Sequence, residues 1–261
     1  MSLIYTPKGK AREYSPLALN VYSGGCDHGC KYCYCSGMQK AFGREWSRNP
    51  VPRNLRGLER EAQKADRQIL LCFVGDPYCK AEAEHRVTRE ALALLESASC
   101  SVAILTKGGT RCLDDIEMFT SWPGTRIKVG ATLTFRTNQK SQDWEPGAAI
   151  PDNRLESLSV LHKAGVKTWA SIEPVIDPVE SLAIIKASLP YVDAYKVGRW
   201  NHDNRSNVID WNKFGMLAVS MIRSAGKALY VKVDLQPHFP AEYLTDAEKN
   251  IDTLALPDKP K

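Results

Sequence analysis

Short apolar segments rich in β-branched residues alternate with longer helical patterns along this chain, and this alternation limits the folds open to it. The predicted strands cover residues 17–22, 68–74, 101–106, 127–133, 166–172, 194–197 and 228–233. Helices are predicted between them, for example over 86–97 and 153–164. Repeated strand-helix units with right-handed crossovers build a parallel sheet that curves toward a barrel. We therefore expect an α/β fold, a partial TIM-like (β/α)6 barrel, with an extra C-terminal strand if residues 228–233 join the sheet.

The composition is that of an ordinary globular enzyme, with 43% hydrophobic and 25% charged residues. No Gly/Ser-rich linker divides the chain, so we expect a single catalytic domain over residues 1–261, with its core over about 17–235. No apolar run approaches the ~20 residues that span a bilayer, and the N-terminus lacks a long apolar segment. We expect a cytoplasmic protein without a membrane partner.

Three cysteines, Cys26, Cys30 and Cys33, have the spacing C-x3-C-x2-C in a glycine-containing loop. Glycines let the backbone fold back so that three sulfurs can converge. Three thiolates bind three irons of a cubane, and the fourth iron is then open to a substrate or cofactor. A zinc site completed by Cys35 is the alternative, although structural zinc sites usually take their ligands from two separated pairs. A disulfide framework fits less well, because a chain of this size can bury a core without one.

This cysteine spacing, with Tyr32 directly before Cys33, resembles the signature of radical S-adenosylmethionine (SAM) enzymes. Further stretches resemble the branch related to spore photoproduct lyase. They are Gly75-Asp76-Pro77-Tyr78, Ile104-Leu105-Thr106-Lys107-Gly108, and Arg154-Leu155-Glu156 through Glu173-Pro174. The resemblance covers roughly residues 20–180.

The resemblance implies two cofactors, a 4Fe-4S cluster on the three cysteines and SAM bound to its open iron. It also implies an external electron donor of the flavodoxin or ferredoxin type. The reduced cluster passes one electron to the sulfonium, and the resulting 5′-deoxyadenosyl radical abstracts a hydrogen atom from the substrate. The protein holds the target carbon in place and excludes water.

Candidate cofactor-binding residues follow the predicted strands. By resemblance, Gly75 and Asp76 hold the methionyl amine, although they depart from the commoner Gly-Gly-Glu form. The alternative is that Asp76 caps the following helix. Tyr32 is expected to pack on the cluster or on adenine, with ordinary loop packing as its alternative.

Hydroxyl and carboxylate side chains follow the fourth and fifth predicted strands. Thr132 and Thr134 can offer hydroxyls to the ribose, and strand alternation points Ser171 and Glu173 the same way. Their alternative is strand-end turn chemistry, since prolines follow closely. Lysines at strand ends could neutralise a carboxylate or phosphate, and we treat them as a set: Lys107, Lys196 and Lys232. His28 is expected to shape the cysteine loop through a hydrogen bond.

Cys72 is the candidate catalytic residue, because in the lyase a cysteine near the second strand returns a hydrogen atom to the product radical. A cysteine inside an apolar strand is more often a small core residue. Cys35 and Cys79 are the other candidates for this role.

The net charge of +5 favours an anionic partner such as a nucleic acid or a nucleotide. Five arginines follow the cysteine loop: Arg44, Arg48, Arg53, Arg56 and Arg60. Interspersed glutamates would make the same stretch a mixed solvated surface. Two other function classes remain open, a radical enzyme for a small molecule or peptide and a non-catalytic zinc or iron-sulfur binding module.

Overall fold

The structure is a computed structural model that describes residues 2–201 and 203–259. Its strands are β1 Ile4–Tyr5, β2 Leu17–Leu19, β3 Tyr22–Ser23, β4 Val51–Pro52, β5 Ile69–Leu71, β6 Val102–Thr106, β7 Ile127–Thr132, β8 Lys167–Ile172, β9 Ala194–Val197 and β10 Ala228–Val231. Its helices are α1 Tyr34–Ala41, α2 Leu58–Lys64, α3 Glu82–His85, α4 Val87–Ser97, α5 Ile116–Ser121, α6 Asn138–Trp144, α7 Pro151–Lys163, α8 Pro178–Ser188, α9 Trp211–Ser224 and α10 Asp246–Lys249.

The main sheet has the order β1-β2-β5-β6-β7-β8-β9-β10. The seven strands from β2 to β10 pair in parallel, while β1 pairs antiparallel with β2 at one edge. Helices in the crossovers between parallel strands are what a partial TIM-like barrel requires. The α/β barrel prediction is confirmed, and the extra C-terminal strand is present as β10.

The first predicted strand, over residues 17–22, is wrong as one element, because the chain leaves the main sheet after Leu19. The side-chain oxygen of Asn20 accepts hydrogen bonds from the backbone N–H groups of Phe73 and Val74, at 2.8 and 2.9 Å. This contact joins the chain after β2 to the chain after β5, which also ends early, at Leu71. Strand β3 then pairs with β4 in a separate two-stranded sheet.

The core lies in layers on the two faces of the main sheet. Two large apolar clusters lie under the helices, one around β5, β6 and α4 and the other around β8, β9 and α9. A small third cluster of Leu70, Ala103 and Trp169 occupies the inner face. Inward side chains alternate with outward ones along each strand, so residues at the strand ends can face the open end of the barrel.

Helix starts follow the sequence signals. Asp177 caps α8 by accepting hydrogen bonds from the N–H groups of Val179 and Glu180, and Pro178 occupies the first turn. Helix α7 also begins with a proline. Within the described ranges, no helix combines the length and apolar character needed to cross a bilayer.

Candidate functional site

A cavity of about 720 Å³ opens at the carboxyl ends of the parallel strands. It is lined there by Cys72 after β5, Lys107 after β6, Thr132 at the end of β7, Glu173 after β8 and Lys232 after β10. Small-molecule sites usually have volumes of about 300–1,000 Å³. The cavity is therefore large enough for a cofactor and lies where barrel enzymes place their chemistry.

The cluster loop, residues 24–33, forms one wall and brings Cys26, Cys30 and Cys33 to this cavity. Backbone hydrogen bonds hold it on both sides. The N–H of Cys26 donates to the carbonyl of Ser47 at 3.1 Å, and the N–H of Lys31 donates to the carbonyl of Trp144 at 2.8 Å.

Gly25 is required in the cluster loop because of a close backbone approach. A Cβ at this position would lie 2.6 Å from the carbonyl oxygen of Ser47 and 2.9 Å from that of Asn49. Any side chain would push the loop away from the segment that supports it.

His28 lies inside the cluster loop, with 2% of its side chain exposed. Its Nδ1 is 3.5 Å from a carboxylate oxygen of Asp76, and its Nε2 is 3.2 Å from a guanidinium nitrogen of Arg111. Burial lowers the pKa of His28. These contacts fit the loop-shaping role expected from the sequence.

Lys107 influences all three thiols of the cluster loop. Burial raises the pKa of Cys26 and of Cys30, the latter to about 11, and the positive charge of Lys107 partly offsets this. A hydrogen bond from Cys35 lowers the pKa of Cys33 to about 6, and Lys107 acts in the same direction. Lys107 therefore favours the thiolate forms of these cysteines, and the thiolate is the form of cysteine that binds metals.

A buried ion pair, Glu145 with Arg154, contacts the cluster loop through Tyr32. Arg154 donates to Glu145 at 2.6 Å, with 1% and 0% of their side chains exposed. The same carboxylate accepts a hydrogen bond from the hydroxyl of Tyr32, and Lys107 lies 5.6 Å from the centre of the Tyr32 ring. Sequence reasoning missed Glu145 and did not assign a role to Arg154, because neither has a spacing signal.

Gly75 and Asp76 both line the cavity. The carboxylate of Asp76 accepts hydrogen bonds from the Thr106 hydroxyl at 2.5 Å, the Lys107 N–H at 2.7 Å and the Tyr78 N–H at 2.9 Å. Burial raises its pKa, but His28 and these hydrogen bonds outweigh burial and hold it below its ordinary value. Asp76 thus joins the ends of β5 and β6 to the cluster loop.

The four residues predicted after the later strands divide into two groups. Thr132 and Glu173 line the cavity with Tyr32, whereas Thr134 and Ser171 are buried and are not part of its lining. Ser171 instead shares a hydrogen bond with the hydroxyl of Tyr14, at 2.9 Å.

Glu173 belongs to what we call the strand-end wall, formed by Glu173, Arg199, Asn201 and Lys232. Its carboxylate accepts hydrogen bonds from Tyr14 at 2.7 Å, from Asn201 at 3.3 Å and from the Lys232 ammonium. Tyr14, Arg199 and Asn201 were not identified from the sequence as site residues, because their positions carry no motif.

Two of the three cysteines considered as hydrogen donors line the cavity, Cys72 and Cys35. Cys79 is buried outside it. Burial raises the pKa of Cys72 to about 12, which keeps this residue a thiol at neutral pH.

Most of the arginine-rich stretch lies away from the cavity. Of its five arginines, Arg48 is part of the lining, and Arg53 donates to the carbonyl of Asn20 at 3.1 Å. The cavity nevertheless has a cationic lining with two tryptophans, Trp46 and Trp200. Among the described residues, seven lysines or arginines contribute to it, against the two carboxylates of Asp76 and Glu173: Lys8, Lys10, Lys31, Arg48, Lys107, Arg199 and Lys232.

The donor set of the cluster loop fits an iron-sulfur cluster, because three thiols of one loop share one cavity with a lysine that favours their ionised forms. Cys26, Asp27 and His28 also place donor atoms within 4.8 Å of one another. One oxygen of Asp27 accepts a hydrogen bond from the N–H of Lys80 at 2.6 Å, and His28 contacts Asp76 and Arg111. The other Asp27 oxygen, Oδ1, is buried without a hydrogen-bond partner among the described residues.

The model of the Radical SAM superfamily matches residues 20–188. An uncharacterized protein of Methanocaldococcus jannaschii is 29% identical over 180 residues, which are 68% of this chain and 67% of that protein. An uncharacterized protein of Mycobacterium bovis is 23% identical over 60% of this chain and 49% of its own length.

Solved structures share the fold at low sequence identity. Spore photoproduct lyase complexed with dinucleoside spore photoproduct has a TM-score of 0.65 at 12% identity, over 90% of this chain and 80% of that one. Streptococcus suis SuiB bound to S-adenosylmethionine has a TM-score of 0.63 at 13% identity, over 87% and 53%. The chain thus spans about half the length of SuiB and of the mycobacterial relative.

Proposed function

Because this chain belongs to the radical SAM superfamily of enzymes, whose cofactors are a 4Fe-4S cluster and SAM, we propose that Cys26, Cys30 and Cys33 hold the cluster in the strand-end cavity. The observation that carries this proposal is that the three thiols of one loop line a single cavity together with Lys107. When bound and reduced, the cluster supplies the electron that cleaves the carbon–sulfur bond of SAM, which yields the 5′-deoxyadenosyl radical for hydrogen abstraction.

The side chains around the loop keep it in place for this chemistry. Lys107 partly neutralises the three thiolates. Glu145, paired with Arg154, accepts a hydrogen bond from the hydroxyl of Tyr32 and so holds this residue of the loop in place. Asp76 connects His28 to the ends of two strands. It therefore supports cofactor binding in two ways, by holding the cluster loop in position and by lining the cavity.

For the cofactor, we propose that Gly75, Thr132 and Glu173 contact SAM, since they line the cavity at successive strand ends. Thr134 and Ser171 act on it indirectly in this proposal. Thr134 lies 3.5 Å from the Tyr32 hydroxyl, and Ser171 reaches Glu173 through Tyr14. Cys72 is the proposed hydrogen donor to the product radical.

The proposed substrate is a nucleic acid or a nucleotide. The cationic lining of the cavity favours a phosphate-bearing molecule, and Trp46 and Trp200 offer rings on which a base can stack. In a duplex, the reactive base would have to be extruded to reach a cavity of this kind. We propose that the whole chain works as one catalytic domain in the cytoplasm and receives its electron from a flavodoxin- or ferredoxin-like donor.

The test is anaerobic reconstitution with iron and sulfide, reduction, and measurement of 5′-deoxyadenosine with and without DNA or RNA. We expect formation of 5′-deoxyadenosine that increases when nucleic acid is added. Formation that responds to a peptide or small molecule and ignores nucleic acid would contradict the substrate class while leaving the radical chemistry intact.

A further inference from the structure

Arg199 is the cation of the strand-end wall that has no carboxylate partner among the described residues. Lys232, beside it in the wall, is paired with Glu173 and lies 4.0 Å from Glu13. Arg199 also lines the cavity, and its buried Nε has no hydrogen-bond partner among the described residues. A buried donor without an acceptor is costly, so a ligand oxygen at this point would be stabilising.

The guanidinium is held in one orientation by its neighbours. Its carbon lies 5.1 Å from the centre of the Trp211 ring, and one terminal nitrogen lies 3.1 Å from Nε2 of His238. Burial lowers the pKa of His238, and the charge of Arg199 acts in the same direction, so a neutral ring can accept this hydrogen bond. With that nitrogen engaged, the buried Nε is left without an acceptor among the described residues.

The backbone at Gly198 places Arg199 in the wall. A Cβ on Gly198 would lie 2.9 Å from the Glu173 carboxylate carbon and 3.0 Å from Cδ of Lys232. The absence of a side chain lets the end of β9 pass directly against this ion pair. Arg199 therefore emerges next to a neutralised pair and remains the net positive charge of the wall.

We propose that Arg199 binds a phosphate group of the substrate through its guanidinium. A planar guanidinium is suited to a two-point contact with phosphate oxygens. The cofactor carboxylate is the other anion that could enter the cavity. Lys107 lies against the cluster loop, with its ammonium 5.6 Å from the centre of the Tyr32 ring, whereas Arg199 belongs to the strand-end wall and packs on Trp211. This inference rests on the proposed function for the identity of the phosphate carrier.

The test uses the reconstituted protein with SAM bound and isothermal calorimetry with three probes: a 5′-phosphorylated deoxydinucleotide, unphosphorylated thymidine and inorganic pyrophosphate. We expect Arg199→Gln to weaken dinucleotide and pyrophosphate binding by about 10- to 100-fold and to leave thymidine binding unchanged. Arg199→Lys should retain part of the affinity. Arg136→Gln is the matched control, since Arg136 is 40% exposed, pairs with Asp152 and lies outside the cavity lining.

Iron content and circular dichroism establish that each variant is folded. Unchanged dinucleotide and pyrophosphate affinity in folded Arg199→Gln overturns the inference, and so does a loss of SAM affinity with phosphate binding unchanged. Binding of pyrophosphate through Arg199 without any dinucleotide binding supports the anion site and contradicts the nucleic-acid substrate. Failure of the wild-type protein to bind either phosphate-bearing probe overturns the inference even if 5′-deoxyadenosine is formed.

Discussion

The cluster loop and the strand-end wall border the same cavity but are built differently. The loop is one short stretch that carries all three cysteines and is held by backbone hydrogen bonds to Ser47 and Trp144. The wall combines residues from the ends of three strands, β8, β9 and β10. A ligand held by one loop leaves a spacing in the sequence, whereas a wall assembled from distant strand ends does not.

The largest effect is expected at the thiols of the loop. Replacing Cys26, Cys30 or Cys33 with alanine removes one of the proposed iron ligands, so we expect loss of the cluster and no formation of 5′-deoxyadenosine. Iron and sulfide content measure the first result and chromatography the second. Cys72→Ala is the control, because this buried cysteine lines the same cavity and should keep its iron and its SAM cleavage while changing the product.

The next effect is expected where the loop rests on the buried ion pair. Glu145→Gln leaves Arg154 as an uncompensated buried charge, and we expect a loss of about 3–5 kcal/mol in the free energy of unfolding. Chemical denaturation measures it. The double variant Glu145→Gln/Arg154→Met should regain much of the loss, and a double variant no more stable than the single one would argue against this explanation.

The Glu145–Arg154 pair also predicts that the stability of the protein depends on pH. Burial raises the pKa of Glu145, but Arg154 and Lys107 outweigh burial and hold it below its ordinary value of 4.5. The unfolded chain therefore binds this proton first, and the stabilisation is present above pH 4.5 and is lost as the pH falls through the lower folded pKa. As the pH is lowered across this acid range, the free energy of unfolding should fall less steeply for the double variant than for the wild-type protein.

A smaller effect is expected at Gly25. In Gly25→Ala the new methyl group meets two backbone carbonyls, and such crowding typically costs about 1–3 kcal/mol. Slower cluster incorporation should accompany it, because the cysteines move with the loop. Gly37→Ala in α1 is the control, since a Cβ there has no neighbour within 4 Å. Equal stability and equal cluster incorporation in the two variants would show that the close approach at Gly25 has no energetic cost.

The smallest stability effect is expected in the strand-end wall. Glu173→Gln should cost about 1 kcal/mol, because the Glu173 side chain is 16% exposed and Lys232 keeps Glu13 as a second partner. Denaturation of this variant beside Glu145→Gln compares the same substitution at the two sides of the cavity. If Glu173→Gln lowers the free energy of unfolding as much as Glu145→Gln does, the ion pair of the wall contributes as much to stability as the ion pair that supports the loop.

The sequence was sufficient to predict the parallel barrel and the cavity at its strand ends, because apolar strands alternate with helices and parallel connections allow few arrangements. It did not predict the interruption after Leu19, which depends on a side-chain contact between Asn20 and residues about 50 positions away. The pairing of Glu145 with Arg154 and the position of Arg199 depend on tertiary packing in the same way. A short motif can indicate a metal-binding site from the sequence alone, but polar contacts between distant residues can be identified only from the folded structure.

The most direct test of the central claim is Mössbauer spectroscopy of anaerobically reconstituted protein, before and after addition of SAM. Three cysteine ligands predict a 4Fe-4S cluster in which one iron site changes its spectrum when SAM binds. A cluster whose four iron sites are unaffected by SAM, or a preparation that holds a tetrahedral zinc ion on four side chains, would contradict the account.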